Sequence, residues 1–209
     1  MSPKSEAPGI ASRPEPLVLD CTDRVQKALK GFAGRTAKLL SDPAVQTDPH
    51  LMGALDDFLG ALYALVFARL EGFTARTNRS IEIRVLQQRA QQFAAGTLRT
   101  EGNWIAGFHF NSALFRLAAV HHRVLKIVVG RPSKGDRVQD LRSEATRLCR
   151  QWGKPNWSRQ HLDGIHAQVN TLKHSPKGVF HRRTVRYDDA LAGAGELLDL
   201  LEVWKSRNP

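Results

Sequence analysis

The chain has 209 residues, 42% of them hydrophobic, and a formal net charge of +11, so it can bury a substantial core in one domain. Two isolated cysteines, Cys21 and Cys149, exclude a disulfide framework or a cysteine zinc site. The cationic surplus favours an anionic partner, most simply RNA or DNA, while the absence of a signal-peptide pattern or a run of some 18 apolar residues points to a cytoplasmic protein with no membrane span.

Residues 1–19, with Pro3, Pro8, Pro14, Pro16 and Gly9, read as a disordered tail. Residues 20–207 read as a single helical domain, without an internal repeat or a convincing linker. The first helix spans Cys21 to Leu40, with Val25, Leu29, Phe32, Thr36 and Leu39 on one side. Asp42-Pro43 ends it and Asp48-Pro49 starts another, because aspartate caps and proline suits a first turn. Leu51, Leu55, Phe58, Leu62, Leu65, Val66 and Phe73 carry that second helix to about Arg76. A shorter helix through Val85, Leu86, Ala90 and Phe93 ends at Gly96. From Thr100 to Val129 the chain is apolar nearly all round, including Trp104, Ile105, Phe108 and Phe110, which suits a helix in the middle of a bundle. Gly130, Pro132 and Gly135 break it. A helix around Val138, Leu141, Ala145 and Leu148 leads to the Gly153-Lys154-Pro155 turn.

The stretch from Ser158 to Trp204 organises the rest. Leu162, Ile165, Val169 and Leu172 form a buried stripe, with His166, Asn170 and His174 on a neighbouring one. Pro176 and Gly178 open a loop carrying Lys177, His181, Arg182, Arg183 and Arg186. Ala190, Leu191, Ala194, Leu197, Leu198 and Leu201 then line the apolar face of a last helix. With few strand signals, the fold expected is all-α.

VNTLKH, the basic loop and the Ala/Leu-rich last helix resemble the HEPN domains, helical bundles that include many metal-independent ribonucleases of toxin–antitoxin, CRISPR and phage-defence systems. The resemblance covers about a quarter of the chain. It implies an antiparallel HEPN-like bundle with extra N-terminal helices, the motif region lying in residues 100–205. The family motif is an arginine, a polar residue and a histidine four to six positions after the arginine. Asn170 and His174 match its last two positions, and Lys173 before the histidine is common there; Val169 occupies the arginine position. On this resemblance His174 is the proton-transfer group for attack of a ribose 2′-hydroxyl on the adjacent phosphate, imidazole being suited to proton transfer near neutral pH. Asn170 positions it or the phosphate, an arginine stabilises the charged transition state, and Lys173, Lys177, His181, Arg182, Arg183 and Arg186 bind the nucleic acid. HEPN ribonucleases usually pair through the motif helix, which implies a homodimer or a hetero-complex. No cofactor is implied.

Other constellations carry less. His121 and His122 are adjacent, so on a helix their side chains diverge by about 100° and cannot chelate one metal together. They read as buried or cleft-lining. No pair of histidines has zinc-hydrolase spacing, so no metal is expected. GRPSKGD, residues 130–136, lacks the end of a phosphate loop and follows a helix, so it reads as a turn. Arg116 lies five and six positions before His121 and His122, and Arg159 seven before His166, but so short a spacing arises by chance in an arginine-rich chain. Arg159 is separated from His174 by fifteen residues, roughly 22 Å along a helix, too far to share a phosphate within one protomer. The residues therefore lead to two functions of different class: a HEPN-like RNA-binding protein or endoribonuclease, or a catalytically silent bundle that binds a partner or supports assembly. A basic DNA-binding bundle ranks third, for want of a helix-turn-helix.

Overall fold

The computed structural model describes residues 24–70, 91, 94–95, 102–131, 137–154, 157, 159–174 and 185–208, with backbone alone for 102–106. The expected tail, the helix expected through Val85 and Phe93, the side chains of Trp104 and Ile105, and Lys177, His181, Arg182 and Arg183 lie outside these residues.

Among the described residues the fold is all-α: α1 (Arg24–Leu40), α2 (Pro43–Gln46), α3 (Pro49–Leu70), α4 (Gly102–Val128), α5 (Val138–Gln151), α6 (Gln160–His174) and α7 (Tyr187–Lys205). The long, nearly all-apolar helix is the centre of the bundle, as its composition requires: α4 packs against α3, α5, α6 and α7. Phe110, Leu114, Leu117, Val124 and Leu125 of α4 are fully buried. Phe108 departs from the expected all-round burial and is 64% exposed. Its edge meets the ring of His109, which in turn faces Phe67 of α3.

Local chemistry sets the helix ends. Asp42-Pro43 does more than terminate α1: Asp42 Oδ1 accepts the Ala44 N–H at 2.9 Å and opens the single turn of α2, which buries Val45. The pair that stops one helix is equally a cap with proline in the first turn of the next. Asp48 Oδ1 does the same for α3, accepting from His50 and Leu51 N–H at 2.8 and 3.2 Å. Described helical residues of α3 stop at Leu70, and the expected extension to Arg76 lies beyond them. By length and composition α3 is apolar enough to cross a membrane, yet Leu51, Leu55, Phe58, Leu62 and Leu65 face the core as in a central bundle helix. At the other end of α4, Gly130 has φ of +72°, which lets Arg131 N–H reach Lys126 O at 2.8 Å. Gly153 repeats the device after α5, with φ of +73° and Lys154 N–H bonded to Cys149 O at 2.8 Å.

Polar ties orient the layers. Arg35 of α1 grips Glu202 of α7 with one edge of its guanidinium, Nε–Oε1 and Nη2–Oε2 each 2.8 Å, and Nη2 also reaches Asp199. Tyr187 at the start of α7 donates to Leu65 O at 2.6 Å and stacks on Phe110. Most consequential for the site is Glu196, on the buried face of α7 with its side chain 8% exposed. One oxygen accepts the His161 N–H at 3.3 Å and lies 2.9 Å from His161 Nδ1; the other accepts the Leu162 N–H at 3.1 Å. These are first-turn N–H groups that a helix cannot satisfy internally, so a carboxylate from a neighbouring helix caps α6. Trp157 Nε1 adds a bond to the Glu196 carbonyl at 3.1 Å.

Removing that carboxylate leaves buried donors without an acceptor, a loss of about 3 kcal/mol. Glu196→Ala is therefore expected to lower stability by about that amount in urea denaturation, and Glu196→Gln, which keeps one acceptor oxygen, by about half as much. An Ala variant as stable as the parent would show that the cap contributes nothing.

Candidate functional site

Once α6 is capped and its stripe of Leu162, Ile165, Val169 and Leu172 is buried against the bundle, the remaining faces have no freedom. Close approach to α7 at Gly193 fixes this packing: a Cβ there would stand 2.6 Å from Ile165 Cδ1. Asn170, Lys173 and His174 are all exposed at the C-terminal end of α6. Lys173 lays its ammonium 5.6 Å from the centroid of the Phe115 ring on α4, a cation–π contact that fixes the side chain without discharging it. Arg186 is exposed immediately before α7, its backbone N–H donating to Asp189 Oδ2 at 2.7 Å. The structure thus sets Asn170, Lys173 and His174 on one solvent-facing end of α6. Val169, which stands where the HEPN motif has an arginine, is 3% exposed. It points into the core, where an arginine would bury an unpaired charge.

The other half of α6 lies against α4 and α5, and a second constellation assembles there. His121 of α4 is fully buried, and its ring centroid is 5.0 Å from that of His166 at an interplanar angle of 61°. Arg142 of α5, with a side chain 13% exposed, pairs through Nη1 with Asp163 Oδ1 at 3.2 Å. Arg159 reaches the other oxygen of Asp163 at 3.6 Å and donates to Thr146 Oγ1 at 3.1 Å. Both ring nitrogens of His121, Nε2 of His166, and Nε and Nη2 of Arg142 are buried without a hydrogen-bond partner. Burial, and then the neighbouring charges of Arg142, His122 and Lys173, push His166 down to about 4. Burial, reinforced by His166, Arg142, Arg159 and His122, holds His121 well below the ordinary histidine range. Two imidazoles thus lie beside two guanidiniums that share a single carboxylate.

The short arginine–histidine spacings resolve differently in three dimensions. Arg116 turns away from the histidines, toward Asp57 of α3 at 3.6 Å, and Arg123 joins the same carboxylate at 2.8 Å. Gly60 and Gly53 of α3 make room for these two guanidiniums. Arg159 belongs with His121, Asp163 and His166, far from His174. His121 and His122 diverge as adjacent helical residues must: His121 enters the core, while His122, with His50, Arg123 and Lys126, lines an open groove of about 480 Å³. Among the described residues no three His, Cys, Asp or Glu side chains are placed to hold a metal ion. Periodicity could not reveal the buried constellation, because it draws on three helices. Its visible trace is a His-His pair in the middle of a largely apolar helix.

The two depressed histidines make stability depend on pH in a definite sense. Above about 6.5, the ordinary histidine value, folded and unfolded chains both hold the rings neutral. As pH falls from there toward 4, the unfolded chain takes up protons that the folded one refuses, so stability is lost, on the order of 3 kcal/mol for His166 alone. Urea midpoints compared at pH 7.5 and 4.5 are expected to fall more for the parent than for His166→Gln; equal falls would place the acid sensitivity elsewhere. No protein-family model, curated protein or solved structure matches the chain.

Proposed function

We propose that the chain is a HEPN-like RNA-binding protein, and a metal-independent endoribonuclease where a cation completes its site, of the kind found in toxin–antitoxin and phage-defence systems. The observation that carries this reading is the shared exposure of Asn170, Lys173 and His174 at the end of α6, in a protein of net charge +11, beside a segment containing Lys177, His181, Arg182, Arg183 and Arg186. Phosphate contacts from such a cluster give sequence-tolerant, salt-sensitive affinity. In cleavage His174 would take the proton from the ribose 2′-hydroxyl or deliver one to the leaving oxygen, with Asn170 orienting phosphate or imidazole. The charge that develops on phosphorus-bound oxygen needs a cation. Val169 cannot supply it from the core, so Arg182 or Arg183 fills that role, or Arg159 of a second copy whose α6 faces this one. Pairing through α6, as a homodimer or with another protein, follows from the same reading.

A second reading is a catalytically silent bundle that binds a partner. It is favoured by the apolar residue at position 169 and by the exposed Tyr63, Phe67, Leu70 and Phe108 near the facing ends of α3 and α4.

Binding of a short single-stranded RNA, measured against salt, separates the two. With Arg182, Arg183 and Arg186 all changed to Ala, affinity is expected to fall and the slope of log K against log salt to flatten by about 2, at roughly 0.7 per phosphate contact. Any cleavage is expected to vanish in His174→Ala. Unchanged binding in the triple variant moves the RNA elsewhere, cleavage that survives His174→Ala removes the proposed catalytic site, and absence of RNA binding in the parent leaves the silent bundle.

A further inference from the structure

The buried constellation between α4, α5 and α6 is not explained by the reading above. It has a charge deficit and a donor surplus. Arg142 and Arg159 share one carboxylate, Asp163, and a guanidinium is not expected to discharge itself by losing a proton. The free edge of Arg142, Nε and Nη2, is the pair of parallel donors that clasps two oxygens of an oxyanion. Beside it stand His121, fully buried with neither nitrogen bonded, and His166 with Nε2 unbonded. A neutral imidazole has one N–H to give, so the cluster offers four donors and needs a negative charge. Water could accept these bonds but would bring no charge.

We propose that Arg142, His121 and His166 form a binding site for a phosphate group, with Arg142 clasping two oxygens through Nε and Nη2 and the imidazoles donating to the others. The geometry favours a tetrahedral oxyanion over a carboxylate. The histidine rings are inclined at 61°, so donors from the two rings and the guanidinium do not share the single plane in which a carboxylate accepts. Arg159 and Asp163 stand at the edge of the cluster with side chains 33% and 39% exposed, which places the approach along the α5–α6 seam. Asp163 holds both arginines and, as an anion, stays out of the phosphate's shell. Phosphate chemistry of this kind comes either from free inorganic phosphate or from the terminal phosphate of a nucleic-acid strand. The site is separate from Asn170 and His174, and it stands whether or not the chain cuts RNA.

The test uses the full chain and inorganic phosphate, with chloride and acetate at matched ionic strength as comparisons. Phosphate at a hundredfold excess over Kd is expected to raise Tm by at least roughly 5 °C and to move the ring resonances of His121 and His166 in NMR. Acetate should do neither. Arg142→Gln should abolish the phosphate response, while His174→Ala should keep it. If Arg142→Gln does not fold, the ring resonances of the parent decide: unmoved by phosphate, they overturn the proposal. Equal Tm in phosphate and chloride overturns it too, as does a phosphate response that persists in folded Arg142→Gln. A second arm compares a short RNA with and without a 5′-phosphate. At least tenfold tighter binding of the phosphorylated strand, lost in Arg142→Gln, assigns the site to strand ends; a response to inorganic phosphate with no difference between the strands assigns it to the free ion.

Discussion

Every functional placement in this molecule depends on how α6 is rotated about its own axis, and the buried carboxylate of Glu196 holds that rotation. By accepting the N–H groups of His161 and Leu162, it seats the first turn of α6 against α7. The narrow approach at Gly193 then lets Ile165 and Leu162 close over the interface. A shift of one residue turns a helix by about 100°. It would move Val169 out of the core and carry Asn170 into it. The capped, packed helix excludes that alternative, so the same backbone presents buried imidazole at one end and exposed imidazole at the other.

Those two ends differ in solvation, and solvation decides what each histidine can do. His166 and His121 are held neutral by burial and by the arginines around them, so near neutral pH they serve as hydrogen-bond donors and acceptors rather than charges. His174, at the C-terminal end of α6, is exposed to solvent. The cations follow the same division. Arg116 and Arg123 serve the α3–α4 seam through Asp57, and Arg35 serves the α1–α7 seam. Lys173, at the end of α6, and Arg186, just before α7, are both exposed. A net charge of +11 is therefore not a uniform coat; part of it is committed to pairs between helices.

Much of the fold was legible in the sequence because its signals are local. Apolar periodicity located α1, α3, α4, α6 and α7, Asp48-Pro49 marked the start of α3, and Gly130 and Gly153 marked turns that need a left-handed backbone. The stripe of Leu162, Ile165, Val169 and Leu172 is buried as its spacing required. Where local signals were ambiguous, the reading was incomplete. Asp42-Pro43 is both a stop and a start, and apolar character does not by itself bury Phe108 at the end of α4. The cap by Glu196 and the meeting of His121, Arg142 and His166 were not legible, because each joins residues from different helices and no spacing along the chain encodes it. Glu196 did carry a trace, as a lone carboxylate on the leucine-rich face of the last helix.

The central claim is that the exposed end of α6 and the basic segment after it form the RNA-binding face. Photocrosslinking of a short single-stranded RNA to the full chain, with the attached peptides located by mass spectrometry, tests it most directly. The account predicts crosslinks within residues 170–186. Crosslinks confined to the groove of His50, His122, Arg123 and Lys126 would contradict it.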